Sequence, residues 1–125
     1  MKTNPVGWFE IYVQDLPRAK TFYETVFATE LQSLDAPFSG MEFLAFPMAQ
    51  DSYGAAGALV RMEATSSGGN GTLVYFACED CAVEEGRVAG AGGQVEKTKT
   101  SIGEYGFISL VRDPDGNRIG LHSMK

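Results

Sequence analysis

The chain has 125 residues, of which 44% are hydrophobic and 21% charged, and its formal net charge is −6. That size and balance fit one small globular domain with its own core and exclude a wholly disordered chain. The acidic balance, with no cluster of Lys and Arg, argues against nucleic acid and anionic membrane surfaces as partners.

Phe9, Ile11 and Val13 alternate with Glu10, Tyr12 and Gln14, which predicts a strand with one apolar face. Asp15 then supplies an N-cap and Pro17 fits a first helical turn. Ala19, Phe22, Tyr23, Val26 and Phe27 follow at the spacing of an amphipathic helix. Three strands are expected over Glu30–Leu34, Met41–Met48 and Gly57–Met62, with loops over Ala49–Ala56 and Ala64–Gly71.

The pattern then repeats. Val74, Phe76 and Cys78 alternate with Leu73, Tyr75 and Ala77, and Asp80 closes the run as Asp15 did. A helix is expected from Cys81 to Ala91, weakened by Gly86 and Gly90 and stopped by Gly92 and Gly93. Strands are expected over Gln94–Thr98, Phe107–Arg112 and Arg118–His122. The turn Asp113-Pro114-Asp115-Gly116-Asn117 separates the last two. The order strand, helix, three strands therefore occurs twice. This predicts an α+β chain of two βαβββ modules, 1–65 and 71–125, within a single domain spanning 1–125. Each half-sheet has one face under its helix, and the opposite faces are expected to curve into a cup for a small ligand.

Phe9-Glu10-Ile11-Tyr12-Val13-Gln14-Asp15-Leu16, with Ala19 and Phe22-Tyr23, resembles the opening of a vicinal oxygen chelate module. The Asp113–Asn117 turn resembles the one before that family's last strand. The family includes glyoxalase I, extradiol dioxygenases, and the bleomycin and fosfomycin resistance proteins. The resemblance implies paired βαβββ modules, a homodimer and, in metal-dependent members, a divalent ion held by His, Glu or Gln from the first and last strands. Carried onto this chain, the ligand positions fall on Trp8, Leu73 and Gly120, with the fourth at Gly57 or Ala58. None of these side chains offers a lone pair. The expectation is therefore a chain with no metal and no cofactor.

By alternation, Trp8, Glu10, Tyr12, Ala58, Leu73, Tyr75, Gly120 and His122 line the cup as candidate ligand-binding residues. This aromatic wall with a few polar groups suits a small, aromatic or partly apolar molecule. Glu10, Tyr75 and His122 are the candidate catalytic residues should the chain be a lyase or isomerase working by acid and base. A dioxygenase-type metal enzyme with a different register is a further alternative. So is an interaction module whose cleft is filled. Arg61, Arg112 and Arg118 could bind an anionic group of a substrate, but solvated surface charge is the favoured reading of each. Cys78-Glu79-Asp80-Cys81 has C-x-x-C spacing, but its acidic neighbours disfavour a thiolate and no second ligand pair is present for zinc. The segment Met1–Gly7 lacks the features of a secretory signal, no apolar run is long enough to span a bilayer, and a cytoplasmic location is expected.

Overall fold

A computed structural model describes residues 3–63 and 65–125. Met1 and Lys2 of the N-terminal segment, and Ala64 at the start of the second expected loop, lie outside them. The elements are β1 (Val6–Tyr12), α1 (Leu16–Phe27), β2 (Gln32–Leu34), β3 (Met41–Ala45) and β4 (Ala56–Met62), then β5 (Thr72–Ala77), α2 (Cys81–Val88), β6 (Gln94–Ser101), β7 (Phe107–Arg112) and β8 (Arg118–Ser123). The chain is thus α+β, with the expected βαβββ order present twice. It divides into two compact units: Phe9–Thr72, and the N-terminal residues up to Trp8 together with Leu73–Lys125.

In the unit Phe9–Thr72 the strand order is β2-β3-β4-β1. β3 runs antiparallel to both β2 and β4, with Phe43 opposite Val60 and Ala45 opposite Ala58. α1 starts where Asp15 accepts a hydrogen bond from the Arg18 backbone N at 3.0 Å. It ends at Ala28, a left-handed residue with φ 49°. Leu31, Leu44 and Leu59 form the core, and Ile11, Val13, Leu16, Ala19 and Tyr23 pack on it. Ile11 and Val13 therefore face the helix, as alternation requires.

The amphipathic stripe of α1 is only partly used. Phe22, Val26 and Phe27 are 57%, 55% and 63% exposed. The spacing puts them on one flank, but the sheet beneath reaches only the flank of Leu16, Ala19 and Tyr23. β3 stops at Ala45, short of the expected Met48. Pro47 has no N–H with which to continue the ladder.

In the second unit the order is β5-β8-β7-β6. β5 runs parallel to β8, with Tyr75 opposite Gly120 and Ala77 opposite His122. The opening segment lies beside β5, where the Ala77 N–H donates to the Pro5 carbonyl at 2.8 Å. Cys81, Val111 and Leu121 form the core, covered by Phe76, Cys78, Val88, Phe107 and Ile119. Asp80 caps α2 by accepting from the Ala82 N at 3.0 Å. The α-helix ends at Val88, and a 3₁₀ turn, Ala89–Ala91, completes the expected span before Gly92 turns left-handed. β6 runs on to Ser101, three residues beyond the expected end, and carries irregularities between Val95 and Thr100.

Candidate functional site

In each unit the sheet has a face turned away from its helix, and the expected site residues fall on those faces. On the face of Phe9–Thr72, Glu10 and Tyr12 project from β1, Ala58 and Val60 from β4, and Phe43 and Ala45 from β3. All six are buried. Glu10 is only 5% exposed, so its carboxylate needs polar partners. One is the Tyr12 hydroxyl, which donates to Glu10 Oε1 at 2.8 Å. Residues i and i+2 on a strand share a face, so the pair is built into the local sequence. Ser67 and Gln14 tie the following loop to the end of β1: Ser67 Oγ donates to the Tyr12 carbonyl at 2.9 Å and Gln14 Nε2 to the Thr65 carbonyl at 2.8 Å. Of the two positions Gly57 and Ala58, Ala58 lies on the helix-free face. Gly57 lies on the other, pressed by the Phe9 ring so closely that a β-carbon there would overlap it.

On the corresponding face of the second unit, Leu73, Tyr75 and Ala77 project from β5, Gly120 and His122 from β8, and Ile108 and Leu110 from β7. Leu73, Tyr75, Ile108 and Gly120 are buried, whereas Trp8 on β1 is half-buried. The Tyr75 ring rests on the α-carbon of Gly120, and a β-carbon at residue 120 would overlap the ring. Glycine is required here for close approach, and its φ is not in the left-handed region. His122 Nε2 lies 2.6 Å from the Tyr105 carbonyl oxygen. A carbonyl can only accept, so Nε2 carries a proton and donates this bond. Tyr105 sits in a 3₁₀ turn, Gly103–Tyr105, that sequence reasoning did not resolve. Gly103, which opens it, and Gly106, which follows it, both have positive φ and were the available signal.

The three arginines differ in their surroundings. Arg61 is a surface side chain, 3.9 Å from Glu42. Arg112 and Arg118 instead belong to a built cluster. Arg112 Nε donates to Glu96 Oε2 at 2.8 Å and Arg118 Nε to Glu96 Oε1 at 2.9 Å. The Arg112 guanidinium, then that of Arg118, holds the Glu96 carboxyl below its ordinary value. Cys78 is pushed up to about 11 by burial and then by the charge of Glu84, and Cys81 is fully buried. The C-x-x-C spacing is thus part of the packing under α2.

The positions that the sequence resemblance assigns to metal ligands do not fit a divalent ion. Leu73 and Ala58 are buried hydrocarbon, Trp8 offers an indole, and Gly120 is covered by Tyr75. Among the described residues, no three His, Cys, Asp or Glu side chains converge as a metal site would require.

The chain belongs to the Glyoxalase/Bleomycin resistance protein/Dioxygenase superfamily, whose family model matches residues 6–121. The repeat of βαβββ modules is the architecture of that class. Three solved structures illustrate the likeness. A variant of the Streptomyces coelicolor methylmalonyl-CoA epimerase in complex with 2-nitronate-propionyl-CoA is 18% identical, with 96% of each chain covered and a TM-score of 0.69. Methylmalonyl-CoA epimerase from Mycobacterium tuberculosis is 17% identical, covering 97% of this chain and 88% of that one, with a TM-score of 0.69. A hypothetical protein from Bacillus halodurans C-125 is 13% identical, covering 99% and 96%, with a TM-score of 0.74. At these identities the likeness is one of fold. Comparison with curated proteins finds no match. Among the described residues, no helix is long and apolar enough to cross a membrane.

Proposed function

We propose that this protein binds a small, aromatic or partly apolar molecule on the helix-free sheet faces without a metal ion. The observation that carries this reading is the Tyr75 ring lying on bare backbone at Gly120. The ring is 6% exposed and fixed at a point where a larger residue would displace it, with Ile108, Leu110 and His122 on the adjoining strands, so it forms the packed aromatic floor of this face. Trp8, the only tryptophan, provides the probe. Titration with a panel of aromatic compounds is expected to give saturable changes in its fluorescence with at least one, and Tyr75→Leu is expected to weaken them. Elemental analysis of protein purified without chelators is expected to find no stoichiometric transition metal. A bound metal, or a full panel without response, refutes the reading.

A second reading, proton transfer at carbon by a lyase or isomerase, draws support from the Glu10–Tyr12 pair. A buried carboxylate that accepts from a fixed phenol is held in one orientation, which a general base needs. Several structural neighbours are epimerases. Incubation with methylmalonyl-CoA in deuterated water, followed by NMR of the substrate C–H, tests it. Exchange that disappears in Glu10→Gln would support it, and no exchange with the unaltered chain would remove it for this substrate.

A further inference from the structure

Arg18, Phe22 and Val26 follow one another at i, i+4 and i+8 on α1, so they share one line along the helix. Phe22 and Val26 are more than half exposed, as is Phe27 at the helix end. Between Lys20 and Glu30 the only charged residue is Glu24. It is already engaged: Oε1 accepts from Lys20 Nζ at 2.9 Å and Oε2 from the Leu31 backbone N at 2.8 Å. The exposed rings are braced from below. Phe22 stands edge-on to Tyr23 at 5.0 Å, Phe27 stacks on Tyr23 at 6.3 Å, and Tyr23 meets Phe46 edge-on at 5.8 Å. Rings held in this way lose little freedom when their outer surface is covered.

The two ends of this flank carry the wrong charges for their own helix. Arg18 lies in the first turn of α1, where the helix dipole disfavours a cation, and that turn holds no acidic residue. Glu30 follows the Ala28 cap, where the dipole disfavours an anion, and the last turn holds no basic residue. Both side chains are exposed, and neither has a partner among the described residues. An antiparallel copy of the same helix reverses both mismatches. A two-fold axis at the level of Glu24 sets Phe22 of one copy against Val26 of the other, because the two lie equally far from that level in the sequence. Arg18 and Glu30 are also equally far from it, so each Arg18 meets the Glu30 of the second copy. Arg18 then lies beside a helix C-terminus and Glu30 beside a helix N-terminus, the ends that favour their charges.

We infer that the exposed flank of α1 is a self-complementary contact on which a second copy of this chain docks, helix antiparallel to helix, in a two-fold dimer. Phe22, Val26 and Phe27 together expose on the order of 300 Å² of apolar surface. That is well below the roughly 800 Å² that each partner contributes to a stable complex. The net charge of −6 on each copy opposes association as well. The dimer is therefore of the weak, reversible class, and the paired ends give it orientation more than affinity. It uses the helix side of the sheet, so it is independent of ligand binding on the helix-free faces.

Sedimentation velocity of the full chain from about 10 μM to about 1 mM is expected to show reversible growth from monomer to dimer mass. Over the same range, concentration-dependent amide shifts in nitrogen-15 spectra should centre on Arg18, Phe22, Val26 and Glu30. Phe22→Ser should weaken association by about tenfold or more. Charge exchange tests the register. Arg18→Glu and Glu30→Arg should each weaken self-association. An equimolar mixture of these two variants should associate about tenfold more tightly than either alone, because both end contacts then join opposite charges. The charge variants also serve if Phe22→Ser does not fold. A chain still monomeric at the highest concentration overturns the inference. So does association that none of these variants alters, which places the contact on another face. A mixture no tighter than its components overturns the antiparallel register. A monomeric chain whose α1 amides shift with benzyl alcohol makes the flank a surface for small apolar molecules, which also overturns the dimer.

Discussion

Tyr75 and Gly120 are cross-strand partners on β5 and β8, and the aromatic ring of one occupies the space a β-carbon on the other would need. Gly120→Ala should therefore destabilise the chain by about 1–3 kcal/mol through overpacking, with no contribution from backbone strain. Combined with Tyr75→Ala, the alanine at 120 should cost much less. A double-mutant cycle from urea unfolding measures this coupling, and additive effects would mean the ring moves aside freely.

Tyr12→Phe removes one donor from the buried Glu10 carboxylate. The expected loss is about 1–3 kcal/mol, since the acceptor stays buried while its phenol partner is gone. Urea unfolding compares it with Tyr23→Phe, which alters a half-buried ring on the other face. Similar losses in both would argue against a special role for the Glu10–Tyr12 bond.

Among the carboxyls held below their ordinary values are Glu96 beside Arg112 and Arg118, Asp80 beside Lys99, and Asp113 bonded to Asn117. A carboxyl depressed in the folded state binds protons more weakly there than in the unfolded chain. The stability it contributes is complete above the ordinary values, 4.5 for Glu96 and 3.8 for the two Asp residues, and is lost as pH falls through the lower folded values. Unfolding midpoints should change little on this account from about pH 7 to about pH 5, then fall with acid. Glu96→Gln should flatten part of that acid slope.

Cys78 shows the opposite sign. Its folded value of about 11 lies above the ordinary 9.0, so its contribution is present below pH 9.0 and is lost as pH rises towards 11. Near neutral pH the native protein should react slowly with a thiol reagent such as Ellman's, whereas the urea-unfolded chain should titrate both cysteines promptly. Rapid native labelling of Cys78 would contradict its raised thiol pKa.

Ala28 holds the left-handed cap of α1 at φ 49°. Glycine adopts that conformation without the steric cost of a β-carbon, so Ala28→Gly should stabilise the chain by about 0.5–1 kcal/mol. The change in thermal midpoint checks it.

The repeat was legible because its signals are local. Asp15 and Asp80 cap both helices, and alternation along β1, β5 and β8 separated Ile11 from Tyr12 and Leu121 from Gly120. Cross-strand chemistry was not legible. Glu96 lies 16 and 22 residues from its two arginines, in the irregular stretch of β6 where simple alternation fails. His122 meets a carbonyl 17 residues away, and a backbone acceptor leaves no trace in residue identity. The exposed flank of α1 escaped prediction for a related reason. Periodicity shows which residues share a side, but how much of that side is covered depends on the width of the sheet below.

The bond from Ala77 N–H to the Pro5 carbonyl spans a long stretch of sequence, whereas Phe9–Thr72 closes on itself. One half can thus condense during synthesis, soon after its last strand clears the ribosome. The other must hold its opening segment in reserve until β5 emerges, and it incurs the entropy of a large loop when they meet. The order in which the two halves acquire protection from hydrogen exchange is therefore written into the connectivity, with the uninterrupted half first.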